Sequence, residues 1–229
     1  MIKVSDYVFK FLKDKGIKHV FMLPGGGAMH LVDSLGKSNI EYICCGHEQA
    51  AAIAAESYGQ NTNDIGVVLV TSGPGATNAI TGVTAGWIDS TPMVIISGQA
   101  KRSDLIGSSG VRQMGSQEVQ IIPMIRHITK YAVQILEPKE IKYHLEKAYH
   151  EAKSGRMGPV WLDMPLDVQG AVIDENNLIG YKEDNSKVSR KLDLNDTKKI
   201  LLYIIYPYIY PYYSTEISLQ TNSMFSSPK

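Results

Sequence analysis

The sequence predicts an α/β fold, with a parallel sheet that carries helices on both faces and an irregular tail behind it. Over most of the 229 residues, short apolar runs typical of strands alternate with segments that have helical spacing. Strands that alternate with helices pair in parallel through crossover connections. Two of the apolar runs, IGVVLV and PMVIIS, are nearly continuous, which is typical of strands buried on both faces.

The first elements are predicted to be a helix, a strand and a second helix. Residues 5–15 have helical spacing, because Val8, Phe11 and Leu12 fall on one face. Ser5 is expected to be the N-cap of this helix. IKHVFML is predicted to be a strand that leads into the glycine loop PGGG, and AMHLVDSLG a short helix. The first segment is therefore expected to be an amphipathic helix and not a signal peptide.

The next strand, IEYICC, leads into an alanine-rich helix that is expected to end at Gly59. The strand contains Cys44 and Cys45, the two cysteines of the chain. Neighbouring side chains on a strand point to opposite faces, so these two cannot readily form a disulfide with one another. We expect two reduced, buried thiols and a cytoplasmic protein.

The later elements continue the alternation. IGVVLVTSG and TPMVIISGQ are predicted to be buried strands on either side of a loop and helix, GPGATNAITGVTAGWIDS. A polar, glycine-rich loop over residues 101–118 interrupts the pattern. A helix around EPKEIKYHLEKAYHEAKSG follows, and PVWLDMPLDV is predicted to be the last strand.

The chain then changes character twice. Residues 1–173 are predicted to form one domain, and the polar residues from 174 onwards a linker. Residues 201–229 form an aberrant tail that is expected to be disordered, with six of the 13 tyrosines close together and two prolines inside an apolar run. This run is too short and too broken to span a membrane. Our hypothesis is that the reading frame is lost near Leu201 and that the chain stops early.

The charge balance excludes some classes of partner. Lys+Arg and Asp+Glu both number 23, so the formal net charge is zero. Without a basic excess we expect neither a nucleic-acid partner nor a membrane partner. His30, His127 and His144 show no metal-ligand spacing with any acid or cysteine, so no metal is assigned to this chain.

Three glycine loops follow predicted strands: PGGG, SGPG, and the looser pair GSSG and MGSQE. In a parallel sheet such loops lie at the carboxyl ends of the strands, where ligands usually bind. Phosphate binding is disfavoured, because no loop has the lysine of a P-loop and GPGATN has Asn78 in place of the third glycine of a dinucleotide fingerprint. Tight turns in a sheet explain any one of these loops, whereas three together with an acid favour a site.

Glu48 is the acid beside these loops. An acid in the first turn of a helix is commonly only a partner for the helix dipole. Against this stands the alanine face behind it, where another backbone or a flat ring could approach closely. A carboxylate in such a dry place is a candidate to hydrogen-bond a nitrogen heterocycle. His47 could act as a base, although a structural role fits its place in an exposed turn.

Five stretches, taken in order, resemble the N-terminal (pyrimidine-binding) domain of thiamine diphosphate-dependent enzymes, and within that superfamily the acetolactate synthase-like group. They are LPGGGAMHLVDSL, CGHEQAAAIAAESYG, VTSGPGATNAITGVTAGWIDSTPMVIISGQ, GSQEVQIIPMIRHITKYA and GRMGPVWLDMPLDVQ. The resemblance covers residues 5–169. The combination of HEQAA, TSGPGATN and GPVWLDMP is more specific than any one of these motifs.

The resemblance implies roles for named residues. In this family the glutamate after the histidine, here Glu48, hydrogen-bonds the aminopyrimidine ring of the cofactor and favours the tautomer that takes the proton from the thiazolium C2. Pro24 and Gly25 match a loop beside the pyrimidine. Pro74 and Asn78 match the loop and helix start on its other side.

Gln117 matches a family glutamine that faces the reacting centre, which makes it the second catalytic candidate after Glu48. The residue before Gln117 is usually aromatic in acetolactate synthases and here is Ser116. The residue before His47 is often arginine in the true synthases and here is Gly46. These departures weaken the assignment of pyruvate as the donor.

The family also continues through a middle domain, so the resemblance implies that residues 174–200 are a linker and the start of that missing domain. A second α/β domain, whose GDG…N motif holds magnesium and the diphosphate, is expected to be missing as well. The resemblance therefore implies thiamine diphosphate held by its pyrimidine half only, with Mg²⁺ expected only with the missing domain and FAD left open. It implies a 2-keto acid substrate and either a homodimer or a partner chain that supplies the diphosphate domain. The alanines behind Glu48 would then permit close packing at a subunit interface. The chain would then be part of a carboligase or decarboxylase that is inactive alone. A non-catalytic binding subunit and an unrelated nucleotide-binding protein are the alternatives.

Overall fold

A computed structural model of the chain describes residues 1–183, together with residues 195, 197–199 and 201–202. Met1–Glu183 form one compact unit and Asp184–Lys229 a second. The described residues of the second unit are helical. The tyrosines of the predicted tail lie outside the described residues, and the proposed division at residues 173 and 200 stays a prediction. Among the residues that the structure describes, no helix has the length and apolar character needed to cross a membrane.

The strands of the first unit form a large parallel sheet and a small antiparallel one. In chain order they are β1 (Ile2–Lys3), β2 (His19–Met22), β3 (Glu41–Cys44), β4 (Gly66–Val70), β5 (Met93–Gln99), β6 (Tyr131–Gln134), β7 (Pro159–Pro165) and β8 (Val172–Ile173). Six of them pair in the order β3-β2-β4-β5-β7-β6, and every neighbouring pair is parallel. The predicted parallel α/β fold is confirmed. β1 and β8 form the separate antiparallel pair.

Helices cover both faces of the large sheet. In chain order they are α1 (Val4–Asp14), α2 (Met29–Lys37), α3 (Glu48–Thr62), α4 (Pro74–Asn78), α5 (Ile80–Asp89), α6 (Ile121–Ile125), α7 (Ile141–Lys153) and α8 (Leu166–Gly170). Side chains of α1, α2, α7 and α8 pack with Val67 and Leu69 of β4 on one face. Side chains of α3 to α6 pack with Val68 and Val70 on the other. The alternation along β4 thus divides the core into two layers.

The first helix begins one residue earlier than predicted, and Ser5 is not its N-cap. α1 starts at Val4 after Lys3, without a side-chain cap. Ser5 is buried and accepts a hydrogen bond from the Ser34 hydroxyl at 2.9 Å. The reason lies in β1, which pairs with β8 and brings the Val4 N–H to the carbonyl of Ala171 at 2.9 Å. This distant backbone group replaces the cap.

The alanine-rich helix α3 does not end at Gly59 but continues to Thr62, with Asn63 in the left-handed conformation at φ 53° as its C-cap. Gly59 is buried inside the helix. A Cβ on Gly59 would lie 2.9 Å from Cγ2 of Thr91. This glycine therefore permits close packing and does not stop the helix.

The prediction of two buried thiols is wrong. Cys44 is exposed and Cys45 is half-buried, and neither forms a disulfide. Cys44 is the last residue of β3 and Cys45 follows it. This strand is at the edge of the sheet, so its apolar sequence does not imply burial on both faces. Burial still raises the pKa of the Cys45 thiol, and the neighbouring Cys44 adds to this.

Some short elements have no counterpart in the prediction. β6 pairs with β7 at the other edge of the sheet, and α6 precedes it after the polar loop. Each has only four or five residues, and α6 contains Pro123. Patterns of this length carry little periodicity. PVWLDMP is a strand as predicted, but it ends at Pro165 and α8 follows.

Candidate functional site

The predicted site residues follow strands that lie side by side. Pro24 and Gly25 follow β2, Glu48 follows β3, and Pro74 follows β4. In the sheet these strands are neighbours, in the order β3-β2-β4. Their carboxyl ends share one edge, which is where ligands bind in open parallel sheets. The structure therefore gathers residues that are up to 50 positions apart.

Glu48 is the first residue of α3 and is only 7% exposed. His47 precedes it as the N-cap, and its Nδ1 accepts a hydrogen bond from the Gln49 N–H at 3.1 Å. His47 thus has a structural role in starting the helix. The position of Glu48 also suits the helix dipole, but its burial distinguishes it from an ordinary surface acid.

Asn78 is the direct partner of Glu48. Its Nδ2 donates to Glu48 Oε2 at 2.9 Å. The other oxygen, Oε1, accepts no hydrogen bond from any described residue. Because Asn78 is neutral, it orients the carboxylate without cancelling its charge. The site therefore holds a buried carboxylate with one oxygen available to a donor.

Gly75 keeps that oxygen accessible. A Cβ on Gly75 would lie 3.1 Å from Glu48 Oε1 and 2.5 Å from Cγ2 of Thr71. The space beside Oε1 thus exists because this position has no side chain. Gly75 is the second residue of α4, where the backbone conformation would also accommodate alanine. Glycine is therefore needed here for the room it leaves and not for its backbone conformation.

The PGGG loop packs on the end of β4 through missing side chains. A Cβ on Gly25 would lie 2.5 Å from Cβ of Thr71, and one on Gly27 2.5 Å from Oγ of Ser72. The Gly27 N–H donates to Thr71 Oγ1 at 3.0 Å. These two glycines therefore serve the close approach of one loop to another. Pro24 lies exposed at the outer end of the loop.

Gln117 reaches the site through its backbone. It lies in the 101–120 loop, which we define as residues 101–120 between β5 and α6. Its carbonyl oxygen lies 2.2 Å from where a Cβ on Gly73 would be. Gly73 has φ 59°, and Gln117 itself has φ 52°. Gln117 and Pro74 are both exposed, and their roles stay predictions.

Thr71 was missed from the sequence. Its side chain contacts Gly25 and Gly75 and accepts the hydrogen bond from Gly27. It therefore joins the loops after β2 and β4. Its place between a buried strand and a glycine turn was visible in the sequence, but only the sheet order shows that it touches a second loop.

A second group that the sequence analysis missed is a buried acid on β7, two strands away from β4 in the sheet. Asp163 of β7 is 0% exposed and accepts hydrogen bonds from the Ser97 hydroxyl at 2.6 Å, Gln134 Nε2 at 2.8 Å and Gln99 Nε2 at 3.2 Å. Burial raises the pKa of Asp163 to about 6, although these three hydrogen bonds oppose the shift. An acid inside the apolar run WLDMP was the signal available in the sequence.

The alanines behind Glu48 pack within the chain itself. Ala51, Ala52 and Ala55 are fully buried. A Cβ on Gly66 of β4 would lie 2.0 Å from the Ala55 carbonyl oxygen, and one on Gly82 of α5 2.6 Å from the Ala52 Cβ. The expected close approach of another backbone is confirmed for Ala52 and Ala55, and there that backbone belongs to the same chain and not to a second subunit.

Within the described part of the chain, no group of three or more His, Cys, Asp or Glu side chains is arranged to hold a metal ion.

The sequence matches that of a known protein family. The family described as "Thiamine pyrophosphate enzyme, N-terminal TPP binding domain" matches residues 2–124, more than half of the chain. This match includes every candidate residue named above from Pro24 to Gln117.

Three relatives are acetolactate synthase large subunits by name. The chain is 43% identical over 165 residues to that of Buchnera aphidicola, which covers 72% of this chain and 28% of the relative. The isozyme 3 large subunit of Escherichia coli K12 is 40% identical over 169 residues, with 73% and 28% covered. A probable large subunit of Methanocaldococcus jannaschii is 38% identical over 208 residues, with 87% and 34% covered.

The matched region thus spans about a third or less of each of these relatives. The parallel sheet and the loops gathered at its carboxyl edge agree with the family match in identifying residues 2–124 as part of such a domain. The chain belongs to the thiamine pyrophosphate (thiamine diphosphate) enzyme family, of which it carries the N-terminal cofactor-binding domain.

Proposed function

We propose that this chain binds the aminopyrimidine half of thiamine diphosphate, as the N-terminal part of an acetolactate synthase-like enzyme that acts on 2-keto acids. The observation that carries the proposal is the buried Glu48 carboxylate. One of its oxygens is held by Asn78 and the other lies open beside Gly75. The names of the relatives support the reaction class.

The residues present fit the proposed cofactor. An aminopyrimidine offers N–H donors and a flat ring, and the site offers a carboxylate acceptor next to a glycine whose Cβ would crowd that acceptor at 3.1 Å. A hydrogen bond to an ionised acceptor is stronger than one between neutral groups. Burial of Glu48 strengthens it further, because water does not compete for the oxygen.

When bound, thiamine diphosphate supplies the carbon nucleophile that attacks the keto group of the substrate. Glu48 would accept at Oε1 a hydrogen bond from the ring N–H that the pyrimidine has in its imino tautomer, and Asn78 would keep the carboxylate turned towards the ring. Gln117 would lie at the border of this pocket, where the resemblance expects the reacting centre. The chain's own part is thus to hold and orient the ring.

The remaining parts of the proposal concern what completes the site. Mg²⁺ and the diphosphate would be held by a domain beyond the matched region, either in a second copy of the same protein or in a partner chain. The enzyme would work in the cytoplasm as a homo-oligomer. If the chain instead binds the cofactor and pairs with a separate catalytic chain, it is a binding subunit.

The proposal is tested on the full chain by titration with thiamine diphosphate in the presence of MgCl₂, followed by NMR. Glu48→Gln is expected to weaken binding by about tenfold or more, the effect of losing one charge-assisted hydrogen bond. Glu56→Gln is the matched control. Glu56 is an acid of the same helix and is equally buried (7% exposed), but it accepts hydrogen bonds from Thr91 and Gln60 instead.

Equal affinities for wild type and Glu48→Gln would remove Glu48 from the site. The chain alone is expected to turn over no pyruvate, because the diphosphate half of the site is not among the matched residues. Measurable turnover without a partner would contradict this part of the proposal.

A further inference from the structure

One carboxylate organises the 101–120 loop. Glu118 is 9% exposed, and its Oε1 accepts the Ile106 N–H at 2.5 Å. Its Oε2 accepts the N–H groups of Gly115 at 3.0 Å and Met114 at 3.3 Å. A buried carboxylate needs such donors, and no ion pair of Glu118 occurs among the described residues. Backbone N–H groups from two parts of the loop therefore converge on this side chain and close the loop on itself.

The two ends of the loop are fixed to the rest of the domain. At the start, the backbone N–H and Nε of Arg102 donate to Asp167 of α8 at 2.9 Å and 2.7 Å. Burial would raise the pKa of Asp167, but these hydrogen bonds outweigh it and lower the pKa. At the other end, Gln99 Nε2 donates to the Val119 carbonyl at 3.0 Å. Glu118 organises the segment between these two points.

The folded loop places the backbone of Gln117 against Gly73, near the candidate site. Gln117 is the neighbour of Glu118 and has φ 52°, a conformation that residues with a side chain rarely adopt. Its carbonyl oxygen occupies the space that a Cβ on Gly73 would need. Gly73 lies two residues before Gly75, which borders Glu48 Oε1. A continuous set of contacts therefore leads from Glu118 to the open oxygen of Glu48.

We propose that Glu118 is a positioning residue, which folds the 101–120 loop and thereby sets where Gln117 meets the turn at Gly73. Glu118 does not touch the space beside Glu48 and acts through Gln117. Its effect on ligand binding rests on the proposed function, that the site takes the pyrimidine half of thiamine diphosphate. Its effect on the loop and the turn does not.

The first measurement uses the wild-type full chain and amide hydrogen exchange by NMR. The N–H groups of Ile106, Met114 and Gly115 are expected to exchange about tenfold more slowly or more than that of Gly110 in the same loop, as one charge-assisted hydrogen bond would produce. This measurement needs no variant to fold. Equal exchange at all four positions would overturn the proposal.

The second measurement compares Glu118→Gln with Glu137→Gln. Glu137 is an exposed acid that lines the same cleft as Glu118. Its ion pair with Arg102 is long, at 3.9 Å, and exposed, so its variant keeps the Arg102–Asp167 hydrogen bonds and serves as the control. Glu118→Gln keeps the size of the side chain but removes one acceptor oxygen, so the loop amides should lose their protection. It should also shift the resonances of Gly73, Gly75 and Thr77 and weaken thiamine diphosphate binding by about threefold or more.

A positioning role would be contradicted if only the loop amides changed. It would also be contradicted if the resonances of Gly73, Gly75 and Thr77, or the affinity for thiamine diphosphate, were the same in Glu118→Gln as in the Glu137→Gln control. If the wild-type chain binds no thiamine diphosphate, the proposed function fails. The exchange and resonance measurements then still decide whether Glu118 sets the position of Gln117.

Discussion

The surroundings of Glu48 depend on one neighbour with a side chain and one without. Asn78 holds Oε2 and turns the carboxylate, whereas Gly75 leaves the space beside Oε1 open. Neither residue carries charge, so the carboxylate keeps its full strength as an acceptor. The two residues come from one short helix, α4. The packing of this helix against the start of α3 therefore controls both oxygens.

Substitution of Gly75 tests this arrangement at the scale of one methyl group. Gly75→Ala would place its Cβ 3.1 Å from Oε1 and 2.5 Å from Thr71, and we expect thiamine diphosphate affinity to fall by about tenfold, since 1.4 kcal/mol of crowding suffices. Gly26→Ala is the control, because a Cβ on Gly26 meets nothing within 4 Å. Titration of both variants by NMR checks this. A Gly75→Ala variant that binds like Gly26→Ala would show that the space beside Oε1 is not used.

At this scale the sequence suggested candidate residues but not the contacts between them. Glu48 and Asn78 were both named through the family resemblance, but their direct hydrogen bond spans 30 positions and depends on the sheet order. Thr71 and Glu118 were not named at all. Their contacts are with backbone groups and glycines of other loops, which leave no pattern in a single sequence.

Helix α3 is held to its neighbours by glycines on both sides. Gly66 of β4 faces the Ala55 carbonyl and Gly82 of α5 faces Ala52. The alanines therefore mark a place where helix and strand backbones approach more closely than ordinary side chains allow. Since Glu48 begins this helix, its depth in the site follows from the packing of α3.

Gly82→Ala should therefore destabilise the domain. Its Cβ would lie 2.6 Å from the Cβ of Ala52, and overpacking of this kind costs about 1–3 kcal/mol in free energy of unfolding. Gly36→Ala, inside α2 with nothing within 4 Å of its Cβ, should instead stabilise by up to about 1 kcal/mol through helix propensity. Urea unfolding of the two variants measures both changes. A loss of the same size in both would mean that close packing at Gly82 is not the cause.

Elements with a long or strongly apolar pattern were predicted well. β4 and β5 are buried along their whole length, and α7 matches the predicted helix. The errors fall where a distant contact decides the outcome. Pairing of β1 with β8 sets the start of α1, the edge position of β3 exposes Cys44, and contact with Thr91 explains Gly59.

At the scale of the whole molecule, Asp163 joins three neighbouring strands. It lies on β7 and accepts hydrogen bonds from Ser97 and Gln99 of β5 and from Gln134 of β6. Trp161 donates to the same Ser97 hydroxyl at 2.8 Å. The carboxyl group thus lies among polar groups inside an otherwise apolar sheet, and its protonation state affects the stability of the entire domain.

Stability should depend on pH through this group. Burial raises the pKa of Asp163 from 3.8 to about 6 in the folded protein, so the folded state holds the proton more tightly than the unfolded chain does. Its stabilising contribution is complete below about pH 4 and is lost as the pH rises through about 6. The free energy of unfolding of wild type minus that of Asp163→Asn should therefore increase by up to about 3 kcal/mol as the pH falls from 7 to 4.

Urea unfolding of the two variants across this range provides the measurement. Other acids whose pKa is lowered, such as Asp33 and Asp167, act in the opposite direction but are present in both variants and largely cancel in the difference. A difference that stays constant between pH 4 and pH 7 would mean that Asp163 titrates as it does in the unfolded chain.

The order of the large sheet, β3-β2-β4-β5-β7-β6, has a consequence for how the chain reaches its native state. Every pairing is parallel, so no two neighbouring strands can be joined by a tight hairpin and begin the sheet locally. The neighbouring strands β5 and β7 pair only after more than fifty intervening residues have been placed. The chain must lose the entropy of closing long loops before strand pairing can stabilise it. This slows folding and leaves strand edges exposed during folding. The loops around Glu48, which follow β2, β3, β4 and β5, therefore reach their native positions late, after the sheet has formed.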